Sequence, residues 1–241
     1  MNLISCLGNV LAGTILCASV LHAEERVIVN WSEQPVGPLK PSDLLPDIRF
    51  QILEAPEARV IDSTTDPKVP FEKGGSALLV KQHEGKGSVA FVLHLNDPPR
   101  KGWIEFPAVL LGGMVGVQFG ANVDLGKSQP GTGYSGTVFA RIFIQPNYNL
   151  IVGMLNMTTD KEETFMTEPK TEDEVPHIFR FVWDFEATPP RFQVLQDGQV
   201  MTTKDSNTDS IPVDPQVAAG GVDRVIITIH SGAVGNVTAS P

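Results

Sequence analysis

Residues 177–200 read HIFRFVWDFEATPPRFQVLQDGQV, and this stretch decides the fold. Apolar and polar residues alternate over residues 177–185, which places Phe179, Phe181 and Trp183 on one face of a strand. Asp197-Gly198 lies between two further alternating runs and favours a type I′ turn, in which both central residues need positive φ. The stretch therefore predicts a strand with three core aromatic rings, followed by a β-hairpin.

Short alternating segments of the same kind cover most of the chain. The 22 Gly and 19 Pro are scattered throughout, which disfavours long helices and favours short strands between turns. Two more hairpins are predicted, around residues 84–87 (EGKG) and 146–149 (PNYN), whereas the polar residues 158–176 indicate a loop or a short edge strand. About eleven or twelve strands result. Such a number of one-sided strands predicts an all-β jelly-roll sandwich of two packed antiparallel sheets.

The N-terminal residues 1–23 have the pattern of a secretory signal. Residues 3–21 are almost all apolar or small, no charged residue precedes Glu24, and the segment ends on the small residue Ala23. A retained membrane anchor is the alternative, because the segment lacks an initial Lys or Arg. Cys6 and Cys17 both lie in this segment, so a mature domain of residues 24–241 is predicted to be secreted, periplasmic or on the cell surface, without a disulfide.

Charge limits the classes of partner. The chain has 18 Lys and Arg against 28 Asp and Glu, a formal net charge of −10, and no basic cluster. Nucleic acid and anionic membrane surfaces are therefore excluded as expected partners, because both bind clustered cations. Neutral ligands such as glycans are compatible with this composition.

Four segments resemble the concanavalin A-like lectin/glucanase superfamily, including the laminin-G-like domains of secreted bacterial proteins. They are residues 27–37 (VIVNWSEQPVG), 75–80 (GSALLV), 177–198, and 221–229 (GVDRVIITI). The resemblance implies a concanavalin A-like jelly roll whose closing strand, residues 221–229, pairs back with the first strand. The superfamily contains lectins, adhesive domains and carbohydrate-active enzymes, so the fold alone does not imply one function.

The catalytic patterns of this superfamily are missing from the sequence. A Glu-x-Asp-x-x-Glu strand, which places two carboxylates on one face in its retaining glucanases, is absent. The Gln-x-His and Arg-rich strands of its lyases are absent as well. No catalytic residue is predicted, and an enzyme would need machinery that these patterns do not describe.

Three strands each show an apolar face and a mixed polar and aromatic face. The mixed faces are predicted to carry His94 and Asn96, then Trp103 and Glu105, then Arg141 together with Phe139. If these strands are neighbours, five of the side chains form one concave patch suited to a glycan, because sugars stack on aromatic rings and hydrogen-bond to polar groups. The predicted ligand-binding residues are Trp103, His94, Asn96, Glu105 and Arg141. The alternative is the ordinary outer face of a sandwich.

The segment DSNTD carries a partial calcium pattern. Asp205, Asn207 and Asp209 have the 1-3-5 oxygen spacing of a Ca²⁺ loop, but the glycine expected next is Ser210 and the bidentate glutamate is replaced by Gln216. A bound Ca²⁺ and a solvated turn are both compatible with this pattern.

Three functions follow from these observations. The first is a secreted, non-catalytic carbohydrate-binding module whose partner is a glycan or polysaccharide. The second is a structural or adhesive surface domain without a small ligand. The third is a glycoside hydrolase or polysaccharide lyase with an unrecognised active site.

Overall fold

Alternating apolar residues fold into strands along nearly the whole described chain. The structure is a computed structural model that describes residues 26–39, 48–53, 57–65, 69, 71, 75–82, 87–95, 97–123, 137–159 and 161–240, with residues 48–53 described by their backbone alone. The predicted signal segment, Asn96 and the turn residues 84–86 lie outside these ranges.

Nineteen strand segments lie within the described ranges, more than the sequence predicted because several span two or three residues. They are β1 (Arg26–Val29), β2 (Gly37–Pro38), β3 (Ile48–Leu53), β4 (Glu57–Asp62), β5 (Ser76–Lys81), β6 (Ser88–His94), β7 (Lys101–Leu110), β8 (Val115–Ala121), β9 (Thr137–Ile144), β10 (Asn149–Asn156), β11 (Lys161–Lys170), β12 (Pro176–Asp184), β13 (Arg191–Gln196), β14 (Gln199–Val200), β15 (Thr202–Thr203), β16 (Ile211–Pro212), β17 (Val222–Ile229), β18 (Gly232–Val234) and β19 (Val237–Ala239). Helical structure in the described chain consists of a 3-10 turn (Trp31–Glu33) and α1 (Pro215–Ala218). Neither could cross a membrane, and no described helix is long and apolar enough to do so.

The strands form two antiparallel sheets. Sheet A has the order β14-β13-β12-β7-β18-β5-β4-β2. In addition, β19 pairs with β7, β1 pairs with β19, and β16 pairs with β13. Sheet B has the order β15-β11-β10-β9-β8-β17-β6-β3. This topology confirms the fold class predicted from the sequence, an all-β sandwich of two antiparallel sheets.

The main core lies between the sheets. Phe179, Phe181 and Trp183 of β12 are buried in it, as predicted, and face the apolar residues of sheet B. Phe119 of β8 lies at its centre, with its ring centroid 5.1 Å from that of Phe192 and 5.6 Å from that of Phe181. Alternation along each strand thus sends one set of side chains into this core and the other set to an outer face.

Two of the three predicted hairpins are confirmed. Asp197 and Gly198 join β13 to β14 with φ angles of 53° and 77°, the positive values that a type I′ turn requires. Residues 145–148 join β9 to β10. The hairpin predicted around residues 84–87 is wrong, because β5 belongs to sheet A and β6 to sheet B. This connection passes from one sheet to the other instead of reversing within a sheet.

Two further expectations are corrected. Polar residues within 158–176 form the ten-residue strand β11, which pairs with β10 and β15 through its backbone although most of its side chains are exposed. Residues 222–229 form β17 in the interior of sheet B, between β6 and β8, so this strand does not pair with the first strand. The partner of β1 is β19.

Candidate functional site

The five predicted ligand-binding residues do not share one face. Trp103 and Glu105 lie on β7 in sheet A, whereas His94 on β6 and Arg141 on β9 lie in sheet B. Asn96 is outside the described residues. The core separates the outer faces of the two sheets, so the prediction of a single patch is wrong, because the strands carrying it are not neighbours. The role of each residue in binding stays a prediction.

On the outer face of sheet A, Trp103 and Glu105 are joined by an arginine. Arg180 lies directly opposite Glu105 in the register of β12 and β7, and its Nε donates to Glu105 Oε2 at 2.7 Å. The guanidinium carbon of Arg180 lies 4.5 Å from the centre of the Trp103 ring, a cation–π contact. One face of the Trp103 ring is therefore covered by Arg180.

A cavity of about 620 Å³ lies beside this cluster. Its lining includes Glu105, Phe71, Val27, Val175 and Ile178, and the described polar groups around it include the pair His177–Asp197. His177 Nδ1 lies 2.7 Å from Asp197 Oδ2. Glu105 and the Nδ1 atom of His177 each have a partner in the protein, whereas His177 Nε2 is buried without one.

The outer face of sheet B has a different character, and we call it the arginine face. It is formed by the outward side chains of β6, β8, β9 and β17, which include His94, Gln118, Arg141 and Arg224. Gly116, Gly120 and Gly153 present no side chain on the same face. The face therefore combines long polar side chains with a small buried apolar cluster of Ala90, Val92 and Ile226.

The Arg224 side chain lies across β8 at Gly120. It is directly opposite His94 on one side and Gly120 on the other. A Cβ atom added to Gly120 would lie 2.5 Å from Arg224 Nε, 2.6 Å from its Cγ and 2.8 Å from its Cζ. Glycine at position 120 thus provides the space that the arginine side chain occupies.

Hydrogen-bonding atoms on the arginine face are left without partners in the described structure. Arg224 Nη1 donates to Asp223 Oδ2 at 2.9 Å, but Arg224 Nε and Nη2 have no acceptor. Gln118 Oε1 has no donor, and Arg141 Nε has no hydrogen bond, since Glu162 Oε2 lies 3.8 Å away. Buried polar groups in native proteins are nearly always paired, with protein or with ordered water, so these atoms make the face a candidate site.

Charge on this face is partly balanced within the protein. Burial raises the pKa of Asp223, while the charge of Arg224 and, to a smaller extent, that of His94 act to lower it. The Arg224 side chain is 9% exposed and that of Asp223 is 23% exposed. Perturbed carboxylates beside buried cations are typical of functional sites.

A bulge corrects one predicted strand face. Phe139 was expected beside Arg141 on the mixed face, but the pairing of β8 with β9 slips between Phe119 and Gly120. The extra residue turns the Phe139 ring into the core, where its centroid lies 5.6 Å from that of Phe185. Arg141 keeps the outward orientation that the sequence predicted, because Ala140, Ile142 and Ile144 are in the core, and Phe143 shares that orientation.

The predicted calcium segment is an exposed turn. Asp205, Asn207 and Asp209 are all exposed, and the turn is held by the hydroxyls of Thr203, Ser206 and Thr208. Within the described residues, no group of three or more His, Cys, Asp and Glu side chains could hold a metal ion. Oxygen ligands for Ca²⁺ are present on the turn, and the calcium site stays a prediction.

Solved structures similar to this chain are β-sandwich proteins of low sequence identity. The carbohydrate recognition domain of Emp47p has a TM-score of 0.47 and 11% identity, covering 82% of this chain and 89% of that one. The Ca²⁺-bound exoplasmic/lumenal domain of VIP36 has a TM-score of 0.45 and 12% identity, with 89% and 88% covered. An endo-β-1,4-glucuronan lyase from the fungus Trichoderma reesei has a TM-score of 0.39 and 15% identity, with 76% and 90% covered.

No protein-family model matches the chain, and no curated protein matches it in sequence. The two antiparallel sheets are those of the all-β sandwich predicted from the sequence. These structures have TM-scores below 0.5 and identities of 15% or less, so the function is argued from the residues of the arginine face.

Sequence reasoning missed Arg224 and Gln118. Gln118 is the single polar residue of β8, and Arg224 follows Asp223 at the start of a mostly apolar strand, a pattern that also describes any solvent-facing position. The signal that was available is the glycine at position 120, since a glycine inside a strand often marks the close approach of another group.

Proposed function

We propose that this protein is a secreted, non-catalytic carbohydrate-binding domain and that the arginine face of sheet B is its binding surface. The observation that carries the proposal is the set of unpaired atoms on Arg224, Arg141 and Gln118. Sugars present many hydroxyl groups, and planar polar side chains bind them with both donors and acceptors. The Arg141 side chain is 29% exposed and Gln118 is partly exposed, so polar groups of both residues are present at the surface of the face.

The shape of the face supports the same function. Gly120 lies under Arg224 and Gly153 lies under Glu162, whereas a Cβ added at Gly116 would meet no atom closer than 3.8 Å, which leaves room for a ring at that position. Phe143 is half-buried beside Gly116, its neighbour across β8 and β9. An aromatic ring in that position can stack against the C–H face of a sugar.

The experiment is binding of the exported protein to a panel of neutral and acidic glycans, with Arg141→Gln and Gln118→Leu as test variants. Both variants are expected to weaken binding, since each removes an unpaired polar group from the face. Arg191→Gln is the matched control, because Arg191 lies on β13 of sheet A and pairs with Asp184.

Trp103→Ala is a further arm of the same experiment. Loss of binding in Trp103→Ala with full binding in Arg141→Gln would move the site to sheet A and contradict the proposal. Absence of binding to every glycan would favour the structural or adhesive function. Release of new sugar ends on incubation would favour an enzyme.

Export is part of the proposal. Cleavage after Ala23 stays a prediction, and N-terminal sequencing of the exported protein tests it. A first residue of Glu24 would support a signal peptide, whereas an intact N-terminus in the membrane fraction would support the anchor.

A further inference from the structure

Sheet A divides at Pro107 into two branches, and the cavity of about 620 Å³ lies in this fork. Before Pro107, β7 pairs with β19 at residues 104–105, and after it β7 pairs with β18 at residues 108–110. The first branch continues to β1 and the second to β5. Val27 of β1 and Ser76 of β5 both line the cavity, which we call the fork cavity. Its volume is typical of small-molecule sites, which span about 300–1,000 Å³.

The connection between the two branches is fixed from the core side. Gly235 N donates to Pro107 O at 2.9 Å, and Gly235 O accepts from Trp31 Nε1 at 2.9 Å. Trp31 N also donates to Asn236 Oδ1 at 2.9 Å, and the Trp31 side chain is buried in the main core. The fork cavity is therefore formed by the fold itself, before any ligand binds.

The walls of the fork cavity are mostly apolar and reach the surface. Phe71, Pro107 and Ile178 line it together with Val27 and Val175. Val27 is 51% exposed and Val175 is 36% exposed, so apolar side chains remain in contact with water at the cavity. Removing this surface from water favours a ligand that has an apolar body.

Glu105 supplies an accessible hydrogen-bond acceptor in these walls. Arg180 Nε donates to Glu105 Oε2, whereas Glu105 Oε1 has no partner within the described residues. The Glu105 side chain is 21% exposed, and Oε1 is not among the buried atoms that lack a partner. Solvent therefore reaches this oxygen, and so can the donor of a ligand.

The charges around the fork cavity favour a cation. Its described lining contains Glu105, Asp197 and His177 but no Lys or Arg. The two oxygens of Asp197 accept from His177 Nδ1 and Ile178 N, so Glu105 is the lining carboxylate with a free oxygen. The Arg180 side chain is 38% exposed, and water therefore screens its charge more than that of Glu105.

We propose that the fork cavity binds a small organic cation, with its apolar body against the cavity walls and its ammonium group donating to Glu105 Oε1. An ammonium offers the carboxylate both a hydrogen bond and an opposite charge, a hydroxyl offers the hydrogen bond alone, and an anion is repelled. The fork cavity belongs to sheet A and the arginine face to sheet B, so this site does not depend on the proposed function.

Three probes with one apolar body test the site in the wild-type protein. They are 2-phenylethylamine, 2-phenylethanol and 3-phenylpropionate, in which a phenyl ring and two methylenes carry an ammonium, a hydroxyl or a carboxylate. NMR titration of the exported protein is expected to show that the amine binds more tightly than the alcohol and about tenfold or more tightly than the acid. If the alcohol or the acid binds as tightly as the amine, or if the amine does not bind, the proposal is wrong.

Two variants with opposite expected effects assign the ammonium to Glu105. Glu105→Gln removes the charge and keeps the shape, so it is expected to weaken amine binding by about tenfold and to leave alcohol binding nearly unchanged. Arg180→Gln removes the cation that competes for Glu105, so amine binding should be kept or strengthened. Glu168→Gln, exposed on β11 of sheet B, makes the same change of net charge as Glu105→Gln and should bind the amine like the wild type.

The other outcomes are also decisive. Full amine binding in Glu105→Gln overturns the assignment, and so does weaker binding in both Glu105→Gln and Arg180→Gln, because the pair would then only maintain the structure. If Glu105→Gln fails to fold, the comparison of amine, alcohol and acid in the wild-type protein still decides. A glycan bound to the arginine face should stay bound when the amine is added. Displacement of the glycan by the amine would contradict both this site and the proposed binding surface.

Discussion

Replacement of Gly120 by alanine tests the geometry of the arginine face directly. The added Cβ would lie within 2.8 Å of three atoms of Arg224, namely Nε, Cγ and Cζ. These atoms span most of the side chain, so rotation of its tip cannot relieve the contact. The whole side chain must lift off β8, or the strand must shift.

The neighbouring Gly116 provides a matched control. Gly116 and Gly120 are on the same strand and the same face, and neither has a positive φ. At Gly116 an added Cβ would lie 3.8 Å from Thr228 Cβ, an ordinary van der Waals contact. Gly116→Ala is therefore expected to stabilise the fold by about 0.4–1 kcal/mol, because alanine restricts the unfolded chain.

The two substitutions are expected to differ in sign. Overpacking of a well-packed position costs about 1–3 kcal/mol. For a domain of this size each kcal/mol changes the melting temperature by about 2–4 °C, so Gly120→Ala should melt about 2–12 °C lower than the wild type. Gly120→Ala should also weaken glycan binding, since it displaces Arg224, whereas Gly116→Ala should not move the arginine.

Thermal unfolding followed by circular dichroism, with and without the bound glycan, measures both effects. Equal melting temperatures for Gly116→Ala and Gly120→Ala would refute the placement of Arg224 over Gly120. A destabilised Gly120→Ala protein with unchanged glycan affinity would keep that placement and remove Arg224 from the binding surface.

Three other measurements test the core, a titrating histidine and the calcium turn. Phe119→Ala should lower the free energy of unfolding in urea by about 3–5 kcal/mol, because its ring packs among aromatic rings of both sheets; a loss under 1 kcal/mol would contradict this packing. Burial lowers the pKa of His230 below its usual 6.5, so the fold favours the neutral imidazole. The contribution of His230 to the free energy of unfolding is therefore fully present above pH 6.5, and it is lost as the pH falls through the lowered pKa. The melting temperature of the wild type should fall relative to His230→Gln over that range, and parallel curves would contradict the shift. If Ca²⁺ binds the turn, it should raise the melting temperature of the wild type but not of a variant with Asp205→Asn and Asp209→Asn; the same rise in both would exclude this site.

Sequence patterns predicted the local features well. The alternation at Phe179, Phe181 and Trp183 identified core residues, because the side-chain period of a strand is fixed at two. Asp197-Gly198 identified its turn, since few residues accept positive φ at both positions. The outward orientation of Arg141 followed from the same alternation.

Longer-range features escaped these patterns. The strand Lys161–Lys170 has few apolar residues, and its pairing depends on backbone hydrogen bonds to β10 and β15 that the sequence does not display. The bulge that buries Phe139 depends on the register between β8 and β9. A single extra residue reverses which face the next side chain occupies.

The sequence by itself determined that this chain forms strands, which side chains of most strands face the core, and that two antiparallel sheets enclose it. Those properties follow from neighbours along the chain. The tertiary structure decided which sheet each strand joins, and so it separated Trp103 and Glu105 from His94 and Arg141. It also brought Arg224 across Gly120, from a strand about one hundred residues away in the chain. The candidate site depends on the pairing of β17 with β8 and of β8 with β9. A hydrogen-bond donor is known to be unpaired only when all of its neighbours in space are known.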